Sequence, residues 1–185
     1  MRAAFLVKYG ASQSAFEVRE TEKPSPSPDQ VLIKVEAFGL NFADVMARLG
    51  LYKAAPPLPA ILGYDVVGYV ESCGSKITDL QVGDRVVAFT RFGGYAEYAL
   101  AEKEMAQKVP DAMPAGEVVA LATQYSTAYF LVHTMANIQE GDRVLIHAAA
   151  GGVGTALTQM ALLKNCMVFG TCSSPEKMEY LKNNG

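Results

Sequence analysis

The stretch DRVLIHAAAGGVGTALTQMALLKN, Asp142 to Asn165, decides the fold. Its first nine residues are almost wholly apolar after Arg143 and show no polar alternation, the pattern of a central parallel strand covered on both faces. Gly151, Gly152 and Gly154 follow, and the residues after them space their apolar side chains as a helix does. A strand, a glycine turn and a helix in that order open a dinucleotide-binding βαβ unit. Set against the pattern G-x-G-x-x-G, the turn places Ala149 in the first slot and Gly151 and Gly154 in the other two. Glycines there let backbone N–H groups approach a pyrophosphate while the helix dipole favours its negative charge. A side chain missing at Gly154 also lets the helix pack close to the strand. The residues expected to hold the phosphates are therefore Ala150, Gly151, Gly152, Val153 and Gly154. A turn that serves packing alone is the competing reading.

Downstream, MVFGT (Met167–Thr171) is expected to be a second buried strand, and SSPEKMEYLKNNG (Ser173–Gly185) opens another helix. That amounts to one and a half βαβ units, a doubly wound sheet begun and left incomplete, so the chain is expected to be a piece of a longer polypeptide. About 20 residues past the turn, an NAD enzyme carries Asp or Glu for the ribose hydroxyls. No acid stands between Met167 and Pro175. Ser173 and Ser174 offer hydroxyls there, Lys177 offers a charge, and the helix that starts at Pro175 turns its positive end to the same place, which favours NADPH over NADH. Two rivals stand: Ser174-Pro175-Glu176 is also an ordinary helix start, and Glu176 could take the ribose instead.

Upstream the chain turns to short strands. VLIKVEAFG (Val31–Gly39), DVVGYVESCG (Asp65–Gly74), DRVVAF (Asp84–Phe89) and GYAEYAL (Gly94–Leu100) are rich in β-branched and aromatic residues and bounded by turn formers. They imply a barrel-like β domain. PSPSPD (Pro24–Asp29) is a stiff connector and APPLP (Ala55–Pro59) a proline loop. The apolar stretch Val118–Val132 is shorter than the ~20 residues of a membrane span. Gln124, Ser126 and Thr127 interrupt it, so it is expected to be a buried helix. The fold class is thus α/β plus β, with a β domain over residues 1–122 and the first part of a dinucleotide-binding domain over residues 123–185.

Composition excludes several partners. Of 185 residues, 50% are hydrophobic and 19% charged, with a net charge of −3. This is a globular protein with material for a core, and without a basic cluster it offers no footprint for nucleic acid or anionic membrane. The opening MRAAFLVKYG lacks the apolar core of a signal peptide, and a cytoplasmic location is expected. Cys73, Cys166 and Cys172 form no CxxC pair and are expected to pack as small core residues. His133, inside the apolar stretch, is expected in the core, and His147 is expected to orient the glycine turn.

GDRVLIHAAAGGVGTALTQ (Gly141–Gln159) resembles the signature of the quinone oxidoreductase and zeta-crystallin family of the medium-chain dehydrogenase/reductase superfamily. Leu162 departs from it, where that signature carries a basic residue or serine. GLNFADVMARLGLYKAAPPLP (Gly39–Pro59) is similar to the family's branch named for the vesicle amine transport protein. The resemblance implies a GroES-like catalytic domain followed by a Rossmann domain, and a homodimer at full length. It also matches the zinc-ligand positions of the superfamily's alcohol dehydrogenases to Asn41, Tyr64 and Thr123. Zinc takes thiolate, imidazole or carboxylate, so no metal is expected. The expected activity is NADPH-dependent, zinc-independent hydride transfer to a quinone or an α,β-unsaturated carbonyl. A lipid- or membrane-associated binding protein on the same fold is the alternative. Asn41, Asp44 and Tyr52 are the catalytic candidates: Asn41 to bond a carbonyl oxygen or the nicotinamide ribose, Tyr52 to donate a proton or stack on a flat substrate. Each has a structural rival, since Asn41 with Asp44 suits a capping box and Tyr52 suits packing on the proline loop. Tyr64 either lines the site or fills the space left by the missing ligand. The resemblance places Thr127 near the nicotinamide.

Overall fold

A computed structural model describes all 185 residues and divides them into two compact units, Met1–Thr123 and Gln124–Gly185. The first contains β1 (Arg2–Leu6), α1 (Ser12–Ala15), β2 (Phe16–Glu20), β3 (Gln30–Phe38), α2 (Phe42–Arg48), β4 (Ala60–Ile61), β5 (Asp65–Cys73), β6 (Arg85–Phe89), β7 (Tyr98–Glu102), β8 (Ala106–Lys108) and α3 (Ala115–Ala120). Five strands form an antiparallel sheet in the order β7-β3-β5-β6-β8, and three form a second in the order β2-β1-β4. The doubled valines of β5 and β6 explain how the larger sheet is buried. Val66 and Val86 enter one cluster with Val31 and Ile33, whereas Val67 and Val87 pack on the other face against Val118 and Val119. Both faces are covered, so the strands run apolar without alternation. Shifts in the β3–β5 register at Leu32/Ile33 and Val35/Ala37 let β3 bend. A second core under the smaller sheet gathers Leu6, Ala47, Leu62 and Tyr95. It anchors α2 through Ala47 and leaves Phe42, Val45 and Leu49 exposed.

The second unit contains α4 (Ser126–Phe130), β9 (Arg143–Ile146), α5 (Gly152–Leu163), β10 (Met167–Gly170) and α6 (Pro175–Asn183), with a π-helical turn at Leu131–Met135 after α4; another, Leu121–Tyr125, runs across the boundary at Thr123. β9 and β10 are parallel, with Val144 opposite Val168 and Leu145 opposite Phe169. Val144 and Val168 pack with Val132, Leu157 and Ala161.

Several expectations are corrected here. Neither β9 nor β10 is buried on both faces. Leu145, Met167 and Phe169 are exposed, because successive side chains point to opposite faces and the core cluster covers only one. The helix over the apolar stretch exists but is only partly buried, with Tyr129 and Phe130 exposed. His133 lies on that open side, its ring 4.3 Å from that of Tyr129, and so is not a core residue. GYAEYAL becomes a strand only at Tyr98, because Gly94–Ala96 is used to meet β1: Ala4 N–H donates to Tyr95 O at 2.8 Å. The three thiols are free and only Cys166 is fully buried. No helix is long and apolar enough to cross a membrane.

Candidate active site

The start of α2 is built from two buried acids. Asn41 precedes the helix in extended conformation, and Asp44 sits at its third position. Asp44 Oδ2 accepts the Asn41 backbone N–H at 3.0 Å and Oδ1 accepts that of Gly63 at 3.2 Å. Burial pushes the Asp44 carboxyl above the ordinary aspartate range, against the pull of these two donors and the Tyr95 hydroxyl. The Asn41 side chain turns to the second acid: Nδ2 donates to Asp65 Oδ1 at 3.0 Å. Asp65 is 1% exposed, and its Oδ2 accepts the Thr123 N–H at 3.1 Å. Space for Asp65 exists because residue 39 is glycine, since a Cβ there would stand 2.2 Å from Asp65 Oδ1. Two of the three positions matched to zinc ligands, Asn41 and Thr123, are thus tied to one carboxylate. No group of three or more His, Cys, Asp or Glu side chains is placed to hold a metal ion.

Tyr64, at the remaining such position, donates its hydroxyl to Tyr52 Oη at 2.8 Å, the rings meeting edge to face at 6.2 Å. Phe92 packs on Tyr64 at 5.1 Å. Burial, and next the bond to Tyr52, hold the Tyr64 hydroxyl well above the usual phenol range, so it stays protonated. Because Tyr64 is the donor, the Tyr52 proton remains available to another acceptor. Tyr52 is half-buried and packs into the smaller sheet's core with Ala55 and Leu58 of the proline loop.

In the second unit, Ala148 adopts a left-handed conformation at φ 52°, and Gly151 N–H returns to Ala148 O at 2.9 Å. Thr171 braces the turn by accepting the Ala148 N–H at 3.2 Å and meeting His147 Nδ1 at 3.2 Å. His147 therefore orients the turn. α5 starts from Gly151 with no side-chain cap and no acid in its first turn, so its leading N–H groups have no partner within the helix. The glycines differ in what surrounds them. A Cβ at Gly154 would lie 2.4 Å from Ala148 O and 2.6 Å from Ala149 Cα, both backbone. The three atoms nearest to a Cβ at Gly152 all belong to the terminal amide of Gln124, with Cδ at 2.5 Å. Ala150 and Val153 are half-buried beside them. At the start of α6, Lys177 Nζ donates to Ser173 Oγ at 3.2 Å. A hydrogen bond from Ser174 holds the Glu176 carboxyl below its ordinary range. Thr127 is exposed on α4.

Sequence reasoning did not single out Gly39, Asp65, Tyr95, Gln124 or Thr171 as site residues. Asp65 carried a signal, an acid heading a strand of valines; Gln124 carried none.

Residues 27–111 match the family model described as the alcohol dehydrogenase GroES-like domain. Over all of this chain and 47% of its own length, the human protein named synaptic vesicle membrane protein VAT-1 homolog is 39% identical. A probable quinone oxidoreductase of Schizosaccharomyces pombe is 40% identical over 93% of this chain and 52% of its own. The Escherichia coli quinone oxidoreductase, solved in complex with NADPH, superposes with a TM-score of 0.94 at 28% identity, over all of this chain and 56% of that one. The chain carries the GroES-like domain of the medium-chain dehydrogenase/reductase superfamily. Over its whole length it is similar to quinone oxidoreductases of that superfamily and to the VAT-1 homologs. It spans about half the length of the curated relatives it matches.

Proposed function

We propose that residues 1–122 are the catalytic domain, and residues 123–185 the opening of the Rossmann domain, of an NADPH-dependent oxidoreductase. The substrate class is quinones or α,β-unsaturated carbonyls, reduced without zinc. The observation that carries this reading is the contrast between the two glycines at the start of α5. Gly154 is required by the packing of the turn on its own backbone, whereas Gly152 keeps clear a space whose nearest neighbour is a movable side chain. With an uncapped, acid-free helix start beside it, that space suits a pyrophosphate held by the N–H groups of residues 150–154. Ser173, Ser174 and Lys177 would hold the 2′-phosphate that distinguishes NADPH, two of them already in hydrogen-bond contact. The NADPH complex of the Escherichia coli relative supports the same cofactor.

Bound NADPH supplies a hydride, which no side chain can. The protein's own part is to place and protonate. Tyr52 holds its proton toward a substrate oxygen that gains charge, and Tyr64, donating to the Tyr52 oxygen, stabilises the phenolate left behind. Asn41 positions the reacting groups, Asp44 fixes the backbone of Asn41, and Thr127 lies toward the nicotinamide end. With Asn41, Tyr64 and Thr123 in place of zinc ligands, no Lewis acid draws off an alcohol proton, so reduction of a conjugated carbonyl is the easier direction.

Gly152→Val in the whole protein tests the reading. Its thermal midpoint should stay near that of the wild type, since Gln124 can swing aside, while NADPH should no longer raise it. Gly154→Ala should instead lower the midpoint, by about 1–3 kcal/mol of overpacking. A Gly152→Val protein that keeps the full NADPH-induced shift would refute phosphate binding by this turn.

A further inference from the structure

We infer that Asp65 is a positioning residue that makes Asn41 present a hydrogen-bond acceptor, its amide oxygen, to the bound ligand. The inference rests on the reading of the protein as an NADPH-dependent reductase. Both Asp65 oxygens accept, Oδ2 from Thr123 N–H and Oδ1 from Asn41 Nδ2 at 3.0 Å, so the Asn41 group that faces Asp65 is its NH2. The amide is planar, and fixing its nitrogen on Asp65 turns Oδ1 the other way, where one of its two lone pairs takes the Asp44 N–H of the capping box and the second is left for a ligand. Asn41 cannot escape by shifting along the chain, because Asp44 holds its backbone N–H at 3.0 Å. Nor can Asp65 turn away. Its second oxygen is bound to Thr123 N–H at 3.1 Å, and the missing side chain at Gly39 gives it a fitted place. A quinone or enone carbonyl is itself an acceptor and gains nothing from an amide oxygen. The partner of Asn41 is therefore an O–H or N–H donor on the nicotinamide-riboside half of the cofactor, a ribose hydroxyl or the carboxamide. Asn41 orients the cofactor, and the substrate oxygen is left to Tyr52.

Exchanging the two side chains tests this. In Asp65→Asn, the new amide must keep its oxygen on Thr123 N–H, so its NH2 faces Asn41, which has to flip and turn its own NH2 to the ligand. NADPH affinity, by fluorescence titration of the whole protein, should fall about tenfold, the loss of one good hydrogen bond. In the double variant N41D/D65N, the carboxylate at 41 accepts from the amide at 65 and again offers an oxygen to the ligand. Affinity should return to within about threefold of the wild type. Asn41→Asp alone places two carboxylates in contact and should bind at least as weakly as Asp65→Asn. The 3-acetylpyridine analogue of the cofactor, which lacks the amide N–H, separates the two donors. An unchanged tenfold loss on Asp65→Asn assigns the ribose hydroxyl, and a vanished loss assigns the carboxamide.

A second readout needs no ligand. In the free protein, the Asn41 Nδ2 proton that faces Asp65 should resonate downfield and move upfield in Asp65→Asn, with the thermal midpoints confirming that the variants fold. Failure of the double variant to recover, or an unmoved Asn41 resonance, would overturn the inference. If the wild type binds no NADPH while the resonance moves as expected, the reductase reading falls and the orientation of Asn41 stands.

Discussion

Two turns of nearly the same sequence lie in the two units, QVGDRVVAF at Gln81–Phe89 and QEGDRVLIH at Gln139–His147. Locally they are copies. Asp84 Oδ2 accepts the Gln81 N–H at 2.8 Å, and Asp142 Oδ2 accepts that of Gln139 at 2.8 Å. The glycines between them have φ of 91° and 79°. Past the turn, the two strands diverge. The Arg85 side chain is 3% exposed and reaches Glu36 at 3.0 Å and the carbonyls of Pro110, Asp111 and Met113 at 2.9, 3.1 and 2.7 Å. Arg143 is exposed and lies over the Phe169 ring at 5.5 Å. Val86 and Ala88 are buried within a five-stranded sheet, whereas β9 has one strand beside it and its Leu145 is exposed. Five residues of sequence make the turn. What the turn delivers is set by how many elements wait on either side of the strand.

The largest effect expected from this contrast is at the arginines. Arg85→Ala should cost about 3 kcal/mol in urea unfolding, since it removes a buried charge from its ion pair and takes one donor from each of three carbonyls. Arg143→Ala should cost less than about 1 kcal/mol, the scale of an exposed cation–π contact. Comparable losses at the two sites would break the contrast. The glycines should behave alike. Neither Cβ would meet an atom within 4 Å, so Gly83→Ala and Gly141→Ala pay for backbone strain alone. Each should lose about 1–2 kcal/mol. A marked difference between them would mean that the turns are not equivalent.

The smallest effect sharpens the contrast further. Asp84 carries an ion pair that the second turn lacks, to Lys108 at 2.7 Å, and this first, then the Gln81 N–H, hold its carboxyl below the usual aspartate range. A depressed carboxyl adds stability above its unfolded pKa, and that contribution is lost as pH falls through the folded value. Lys108→Met should move the Asp84 midpoint back up in a carbon-detected NMR titration, and the acid edge of unfolding with it. An unmoved midpoint would remove Lys108 from the account.

The candidate site divides along the same line as the turns. The turn of residues 150–154 was legible as a turn because its glycines stand at fixed offsets between a strand and a helix, and every part of that pattern is local. Asn41 and Asp44 were legible as the start of α2 for the same reason. What Asn41 points to was not, because its partner Asp65 lies 24 residues away and nothing near Asn41 encodes it. The bond from Tyr64 to Tyr52 spans 12 residues and changes which hydroxyl has a proton to give. His133 was placed in the core from the apolar run around it, and only the packing of the helix shows the side it occupies.

The sequence by itself determined the long strands of the larger sheet, the order of strand, glycine turn and helix after Gly141, the start of α2 and the likeness to a family, because spacing, glycine placement and capping act over a few residues. The tertiary structure alone decided which faces are buried, which end of the Asn41 amide is presented, and which tyrosine donates. Each of these depends on an atom brought close by folding, and hydrogen bonding and burial depend on distance in space, not on distance along the chain.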